Sequence, residues 1–188
     1  PGQAGGMNTR AFSGYLELLR RYGKSLNLSS EAVLAEPQKH LAAAQAYGEV
    51  LPPGAEVLDV GSGGGLPGIP LAISRPDLRR VLAESRARRA AFLELVVAQL
   101  GLKNVRVYNG DVRQWRGSAQ YVLAQAVASF SGVYQLVRAA AKYPLVIVSR
   151  KGPGWQQEVL GLPGAQVFHV KQLDQDAWLV AIRLEGPA

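Results

Sequence analysis

The sequence predicts an α/β protein: a doubly wound, mostly parallel sheet of seven strands that ends in an antiparallel hairpin and follows a small helical cap. Three observations carry this. Short β-rich runs alternate with helical patterns from Gly54 onward, which is the order that parallel strands joined by crossover helices demand. A glycine-rich turn, Gly61-Ser-Gly-Gly-Gly65, follows the first of these runs directly. The last two runs are separated only by Asp174-Gln-Asp176, too little chain for a crossover, so they must pair antiparallel.

The elements follow in order. Pro1 to Gly6 precede the only methionine, Met7, and show no periodicity; they are expected to be a cloning remnant or disordered leader outside the fold. From Asn8 the pattern is helical, with Phe12, Tyr15, Leu16, Leu19 and Tyr22 three or four residues apart on one face. Gly23 and Asn27-Leu-Ser-Ser30 interrupt it, Ser30 is a candidate cap for a second short helix, and Pro37 separates that helix from a third carrying Leu41 and Tyr47. Pro52-Pro-Gly54 closes the cap, giving a division into residues 7–51 and 52–188. The strands are expected at Glu56–Val60, Arg80–Glu84, Val105–Asn109, Gln120–Val127, Leu145–Arg150, Gln166–Leu173 and Trp178–Leu184, with helices near Ile69–Ser74, Ala87–Leu100, Ser131–Lys142 and Pro153–Leu160.

Composition narrows the chemistry. The 188 residues include no cysteine, which removes disulfides, thiolate metal sites, iron–sulfur clusters and cysteine nucleophiles. His40 and His169 are the only histidines, so a three-histidine metal site is excluded and no metal is expected. Lys and Arg number 21 against 14 Asp and Glu, a formal net charge of +7, and that balance favours an anionic partner. No apolar run reaches the ~20 residues of a membrane span. A soluble, cytoplasmic, monomeric protein without a membrane partner is expected.

Glu56-Val-Leu-Asp-Val-Gly-Ser-Gly-Gly-Gly-Leu-Pro-Gly68 is the most informative stretch. A strand runs into a glycine loop, and a helix opens near Pro67 or Pro70. In open sheets of this kind, ligands bind at the carboxyl ends of the strands beside the topological switch. Two cofactors compete. Gly63-x-Gly65-x-x-Gly68, with Glu84 about 20 residues on, satisfies the dinucleotide fingerprint. Asp59, two residues before the first glycine, argues the other way: a carboxylate suits an amino group or sulfonium and would repel a pyrophosphate at a helix N-terminus. Asp59-Val-Gly61-Ser62-Gly63-Gly-Gly65 resembles the loop of class I S-adenosylmethionine-dependent methyltransferases, and the balance favours the methyl donor. Glu84, at the end of the second strand with Ser85 beside it, then suits the ribose hydroxyls. Asp111 after the third strand suits adenine, and Val112 the face of its ring.

The resemblance extends further. Asp59-Val-Gly-Ser-Gly-Gly-Gly-Leu-Pro-Gly-Ile-Pro-Leu71 with Arg75-Pro76, Leu82-Ala-Glu-Ser-Arg-Ala-Arg-Arg-Ala-Ala-Phe-Leu93 and Leu100-Gly-Leu-Lys-Asn-Val105 resemble the RsmG (GidB) family of bacterial ribosomal RNA methyltransferases. Leu26-Asn-Leu-Ser-Ser30, Lys39-His40 and Lys151-Gly152 also stand where that family carries similar residues. The resemblance implies a Rossmann-like methyltransferase sheet, S-adenosyl-L-methionine as cofactor, small-subunit ribosomal RNA as partner, and methylation of guanosine N7. It further implies cofactor contacts at Gly61, Leu66, Val112, Arg113 and Gln125. The chain departs from the pattern at Gln125 and Asp111, where the family has arginines, and at Ala43-Ala44, where it has Asp-Ser. Two alternatives stay open beside the RNA methyltransferase: a cofactor-binding RNA-associated protein with lost turnover, and a methyltransferase for a small molecule or protein.

Asn27, His40 and Gln125 are the candidates for orienting a base, since methyl transfer needs alignment first. Arg86, Arg88 and Arg89 open the helix after the second strand, where the macrodipole disfavours cations. Phosphate binding accounts for them, and Arg150 and Lys151 after the fifth strand are expected to extend that surface.

Overall fold

A computed structural model describes residues 2–28, 30–61, 63–125 and 128–188, with side chains from Thr9 onward. Seven strands form one sheet in the order β3-β2-β1-β4-β5-β7-β6. They are β1 (Glu56–Val60), β2 (Arg79–Glu84), β3 (Val105–Asn109), β4 (Ala119–Gln125), β5 (Ala141–Lys151), β6 (Gln166–Asp174) and β7 (Ala177–Leu184). The first five run parallel, and β7 inserts antiparallel between β5 and β6. The strand order reverses between β1 and β4, which places the switch point at the end of β1.

The helices are α1 (Gly2–Tyr22), α2 (Ser30–Ala35), α3 (Pro37–Gly48), α4 (Gly68–Ser74), α5 (Ala87–Leu100), α6 (Phe130–Val137) and α7 (Trp155–Leu160). Three expectations are corrected. The leader is helical, since α1 begins at Gly2. The helix expected over Ser131–Lys142 stops at Val137, passes through a 3-10 turn at Arg138–Ala140, and gives way to β5 at Ala141. Lys142 and Pro144 there belong to a strand that pairs with β4 at Ala141 and again from Val146, with a register shift between Ala119 and Tyr121 of β4; pairing overrides the helical pattern. Ser30 opens α2 as a buried residue of the helix itself, and the end of the expected fourth strand, Ala126 and Val127, falls outside the described residues.

The cap shares its core with the sheet. Tyr15, Leu18 and Leu19 of α1 pack with Ile69 of α4, Phe92, Leu93 and Val96 of α5, and Leu82 of β2. Tyr22 meets Phe92 edge-on at 6.4 Å between ring centres. On the other side, Tyr47 of α3 is fully buried, donates from its hydroxyl to the Ala124 carbonyl at 3.2 Å and accepts from the Arg150 N–H at 3.0 Å. Arg75 closes the end of α3 by donating to the Gly48 and Leu51 carbonyls. The Tyr47 contacts fix the cap against the carboxyl ends of β4 and β5.

Candidate functional site

Three glycines of the loop after β1 take positive φ: Gly61 at 67°, Gly63 at 52° and Gly65 at 97°. A side chain at these positions would strain the backbone, so the loop turns tightly enough for α4 to start at Gly68, with Pro67 as its flanking residue. The cap holds this loop from outside. Tyr15 donates its hydroxyl to the Gly64 carbonyl at 2.7 Å, and Leu28 lies over Gly64.

Asp59 supports the loop from below. It is 1% exposed, and a Cβ on Gly68 would lie 2.5 Å from its Oδ2. The carboxylate therefore sits under the first turn of α4. Arg80 of β2 approaches the same space: its Nη1 donates to the Gly68 carbonyl at 2.6 Å, and burial draws its pKa down to about 10 despite the attraction of Asp59. Burial and the Asp59 charge both push the Tyr15 and Tyr47 hydroxyls well above the ordinary range. Asp59 does not line the cleft described below: alternation along β1 turns it, like Val57, toward α4.

A cleft of about 340 Å³ opens at the carboxyl edge, lined by Gly61, Glu84, Ser85, Asp111, Val112 and Arg113, with Val60, Ala83, Gly110 and Leu136 completing it. Glu84 is buried at its base and accepts from the Arg86 N–H at 3.3 Å through Oε2. Its second oxygen takes no protein hydrogen bond among the described residues. Asp111 accepts from the Arg113 backbone at 3.0 Å and from its guanidinium at 2.6 Å, which holds the carboxyl below its usual range. Six expected cofactor residues thus meet in one cleft. Gly63, Gly65 and Leu66 do not line it: the glycines shape the loop, and Leu66 packs into the core under α1. Ser62 lies outside the described residues. Leu136 carried no signal, because its apolar spacing is that of any core-facing helix.

The donor set distinguishes between the two candidate cofactors. Two carboxylates, Glu84 and Asp111, line the cleft, its one cation is bonded to Asp111, and the start of α4 already faces Asp59. That arrangement disfavours a pyrophosphate and fits a nucleoside with free ribose hydroxyls.

Beside the cleft, Gln125 ends β4 in register with Arg150 of β5. His40 of α3 is half-buried in the field of Arg150 and Lys39, and burial above all, then those cations, lower its pKa. The structure therefore brings His40 and Arg150 together, with Gln125 alongside. Asn27 stands apart. Its φ of 54° turns the chain between α1 and α2, and its carbonyl accepts from Arg89 Nη2 at 2.8 Å while Leu26 accepts from Arg89 Nε at 3.4 Å.

Two of the residues expected at the phosphate surface have partners within the protein. Arg89 clasps the cap, which explains a cation in the first turn of α5. Lys151 is buried: its Nζ donates to the Ala128 carbonyl at 2.9 Å, pairs with Glu158 at 2.7 Å and lies 4.6 Å from the Phe130 ring centre. Arg86 and Arg88 are exposed and Arg150 is half-buried. Lys151→Met is expected to cost about 2 kcal/mol, because it strands the Ala128 carbonyl and removes a buried charge pair, while Glu158 regains water. Thermal unfolding measures it, and the salt dependence of RNA affinity should not move.

No helix among the described residues is long and apolar enough to cross a membrane, and no three acidic or histidine side chains among them are grouped to hold a metal.

Comparison with known proteins agrees with this geometry. The fold is that of the Rossmann-like methyltransferases. Similar solved structures include TrmN from Thermus thermophilus, at TM-score 0.62 and 17% identity over 77% of this chain and 48% of that one. Fibrillarin from Aeropyrum pernix, solved with bound S-adenosyl-L-methionine, matches at TM-score 0.59 and 19% identity over 76% and 73%. Residues 8–176 match the family model described as rRNA small subunit methyltransferase G (GidB), and the chain belongs to that family. Relatives called ribosomal RNA small subunit methyltransferase G include one from Acidothermus cellulolyticus, 36% identical over 78% of this chain and 77% of its own length. One from Corynebacterium efficiens is 36% identical over 78% and 70%.

Proposed function

We propose that this chain is an S-adenosylmethionine-dependent methyltransferase that modifies N7 of a guanosine in small-subunit ribosomal RNA, in the cytoplasm and as a monomer. The observation that carries the reading is the cleft at the ends of β1, β2 and β3, with the Glu84 carboxylate at its base, in a member of this family. Bound S-adenosylmethionine supplies a methyl group on a sulfonium. Glu84 holds the ribose hydroxyls, Val112 and Leu136 flank the purine ring, Asp111 accepts from the exocyclic amine, and Gly61 lets the rest of the molecule pass along the loop.

Transfer to N7 requires alignment rather than proton removal, since that nitrogen presents a lone pair and carries no proton. The site agrees: His40, kept neutral in the neutral pH range by burial and by Arg150, has the form of an orienting group and not of a strong base. The two departures from the family pattern are offset nearby. Arg150 stands in register beside Gln125, and Arg113 is bonded to Asp111, so each of the two replaced positions has an arginine as its neighbour. This supports an active enzyme over a binding protein without turnover.

Titration calorimetry with S-adenosylmethionine, S-adenosylhomocysteine and NADH tests the cofactor assignment. Saturable binding of the first two and none of NADH is expected. Binding of NADH alone would return the loop to the dinucleotide class.

A further inference from the structure

A second cleft, of about 370 Å³, lies at the opposite end of the sheet, at the amino ends of β1, β2 and β3. It exists because the connection from β3 to β4 has no helix. Only a 3-10 turn at Val112–Gln114 and the loop Trp115–Ser118 cross that face, so the strand starts beneath are left open. Arg79, Lys103 and Arg106 line the cleft and are exposed, and Arg116 in the crossing loop is exposed as well. Glu56 is the one carboxylate in the lining, and it pairs with Arg79 at 2.8 Å. Lys103, Arg106 and Arg116 enter no ion pair among the described residues. Three exposed cations of the lining thus face one carboxylate, and Lys103 and Arg106 are left unpaired by it.

The crossing loop is also built to stay in place. A Cβ on Gly117 would fall inside the Trp115 ring, so the glycine allows the indole to fold back over its own loop. Trp115 packs against the core of α6 and β4, and Asn104 at the far wall donates to the Pro76 and Leu78 carbonyls at 3.2 Å and 2.7 Å. The walls are therefore held by packing and hydrogen bonds, while Lys103 and Arg106 are left to a ligand. Neither the cofactor cleft nor the His40 edge uses any of them.

We propose that this cleft is a second RNA contact, which binds the phosphate backbone of the substrate at the far end of the sheet from the methyl-transfer edge. The inference rests on the RNA-methyltransferase reading above and adds to it where the RNA runs. β2 separates Glu84 in one cleft from Arg79 in the other by five residue steps, roughly 17 Å at about 3.3 Å per residue. Stacked nucleotides at ~3.4 Å each cover that span in about five steps. That length is the depth of the sheet an RNA must pass to engage both ends, and the contact is with phosphates, so it reads no sequence.

The test uses the double variant Lys103→Gln/Arg106→Gln, both at exposed positions, and a transcript of the small-subunit ribosomal RNA. Affinity is measured by fluorescence anisotropy across a series of KCl concentrations, beside cofactor affinity and methyl transfer. Each lost phosphate contact on single-stranded RNA removes about 0.7 from the slope of log K against log salt, so the slope should fall by about 1.4 with cofactor affinity unchanged. An unchanged slope, in a variant whose wild-type parent methylates the RNA, overturns this cleft's role alone. Weaker binding to assembled subunits with an unchanged slope on bare RNA would assign the cleft to a ribosomal protein, and would also overturn it. A wild-type chain that transfers no methyl group to the RNA overturns the underlying reading instead.

Discussion

Glu84→Ala is expected to weaken S-adenosylmethionine binding by about 100-fold or more while the chain stays folded. Glu84 is 6% exposed at the base of the cleft, and the only protein hydrogen bond to its carboxylate among the described residues is the long one from Arg86 at 3.3 Å. Little stability is at stake there. A ribose with two hydroxyls donating to a carboxylate makes two charge-assisted hydrogen bonds, each contributing about 1.5–3 kcal/mol. Losing both costs about 3 kcal/mol at the low end, which at about 1.4 kcal/mol per decade is two orders of magnitude in affinity. Glu84→Gln keeps an acceptor without the charge and should fall between the two. Calorimetry reads the affinities and thermal unfolding the stability. Wild-type affinity in Glu84→Ala would move the cofactor out of this cleft.

Gly68→Ala is expected to damage both stability and cofactor binding. The added methyl would lie 2.5 Å from Asp59 Oδ2 and closer still to Leu82 Cδ2. Both neighbours are buried, Asp59 at 1% and Leu82 at 0% exposed, and neither is the free end of a surface side chain. Overpacking of this kind costs typically about 1–3 kcal/mol. For a chain of this size each kcal/mol shifts Tm by roughly 2–4 °C, so a fall of about 2–12 °C is expected. Because the glycine loop is held between Asp59 below and Tyr15 above, the displacement should also reach Gly61 and weaken the cofactor. Thermal unfolding and calorimetry of the same variant separate the two effects. Unchanged values in both would show that Asp59 does not support the loop.

Much of the fold was legible because period and punctuation agree along the chain. Glu56–Val60 and Ala87–Leu100 have the bounds that the sequence predicts, since a glycine loop and a left-handed Gly101 close them sharply. The stretch at Ser131–Lys142 misled because Ala139 to Lys142 suit a helix, whereas pairing with β4 claims Ala141 for a strand. At the site, Gly61, Glu84, Ser85, Asp111, Val112 and Arg113 were found because each ends a strand or follows one, and strand ends converge at a single edge. Burial was what the sequence did not disclose. Asp59 and Lys151 look like exposed chemistry in a linear motif, but the side on which each leaves its strand decides between cleft and core. Arg89 posed the same problem. Its partners are backbone carbonyls of Leu26 and Asn27, more than sixty positions away, and no spacing rule reports such a contact.

The most direct test of the central claim is transfer of a labelled methyl group from S-adenosylmethionine to small-subunit ribosomal RNA, offered free and within the subunit. The modified nucleoside is then identified by mass spectrometry. Label recovered as 7-methylguanosine at one position, and lost in Glu84→Ala, is the expected result. Saturable cofactor binding with no label in either RNA substrate would contradict the claim. The cleft would then belong to a protein that holds the cofactor without using it on RNA.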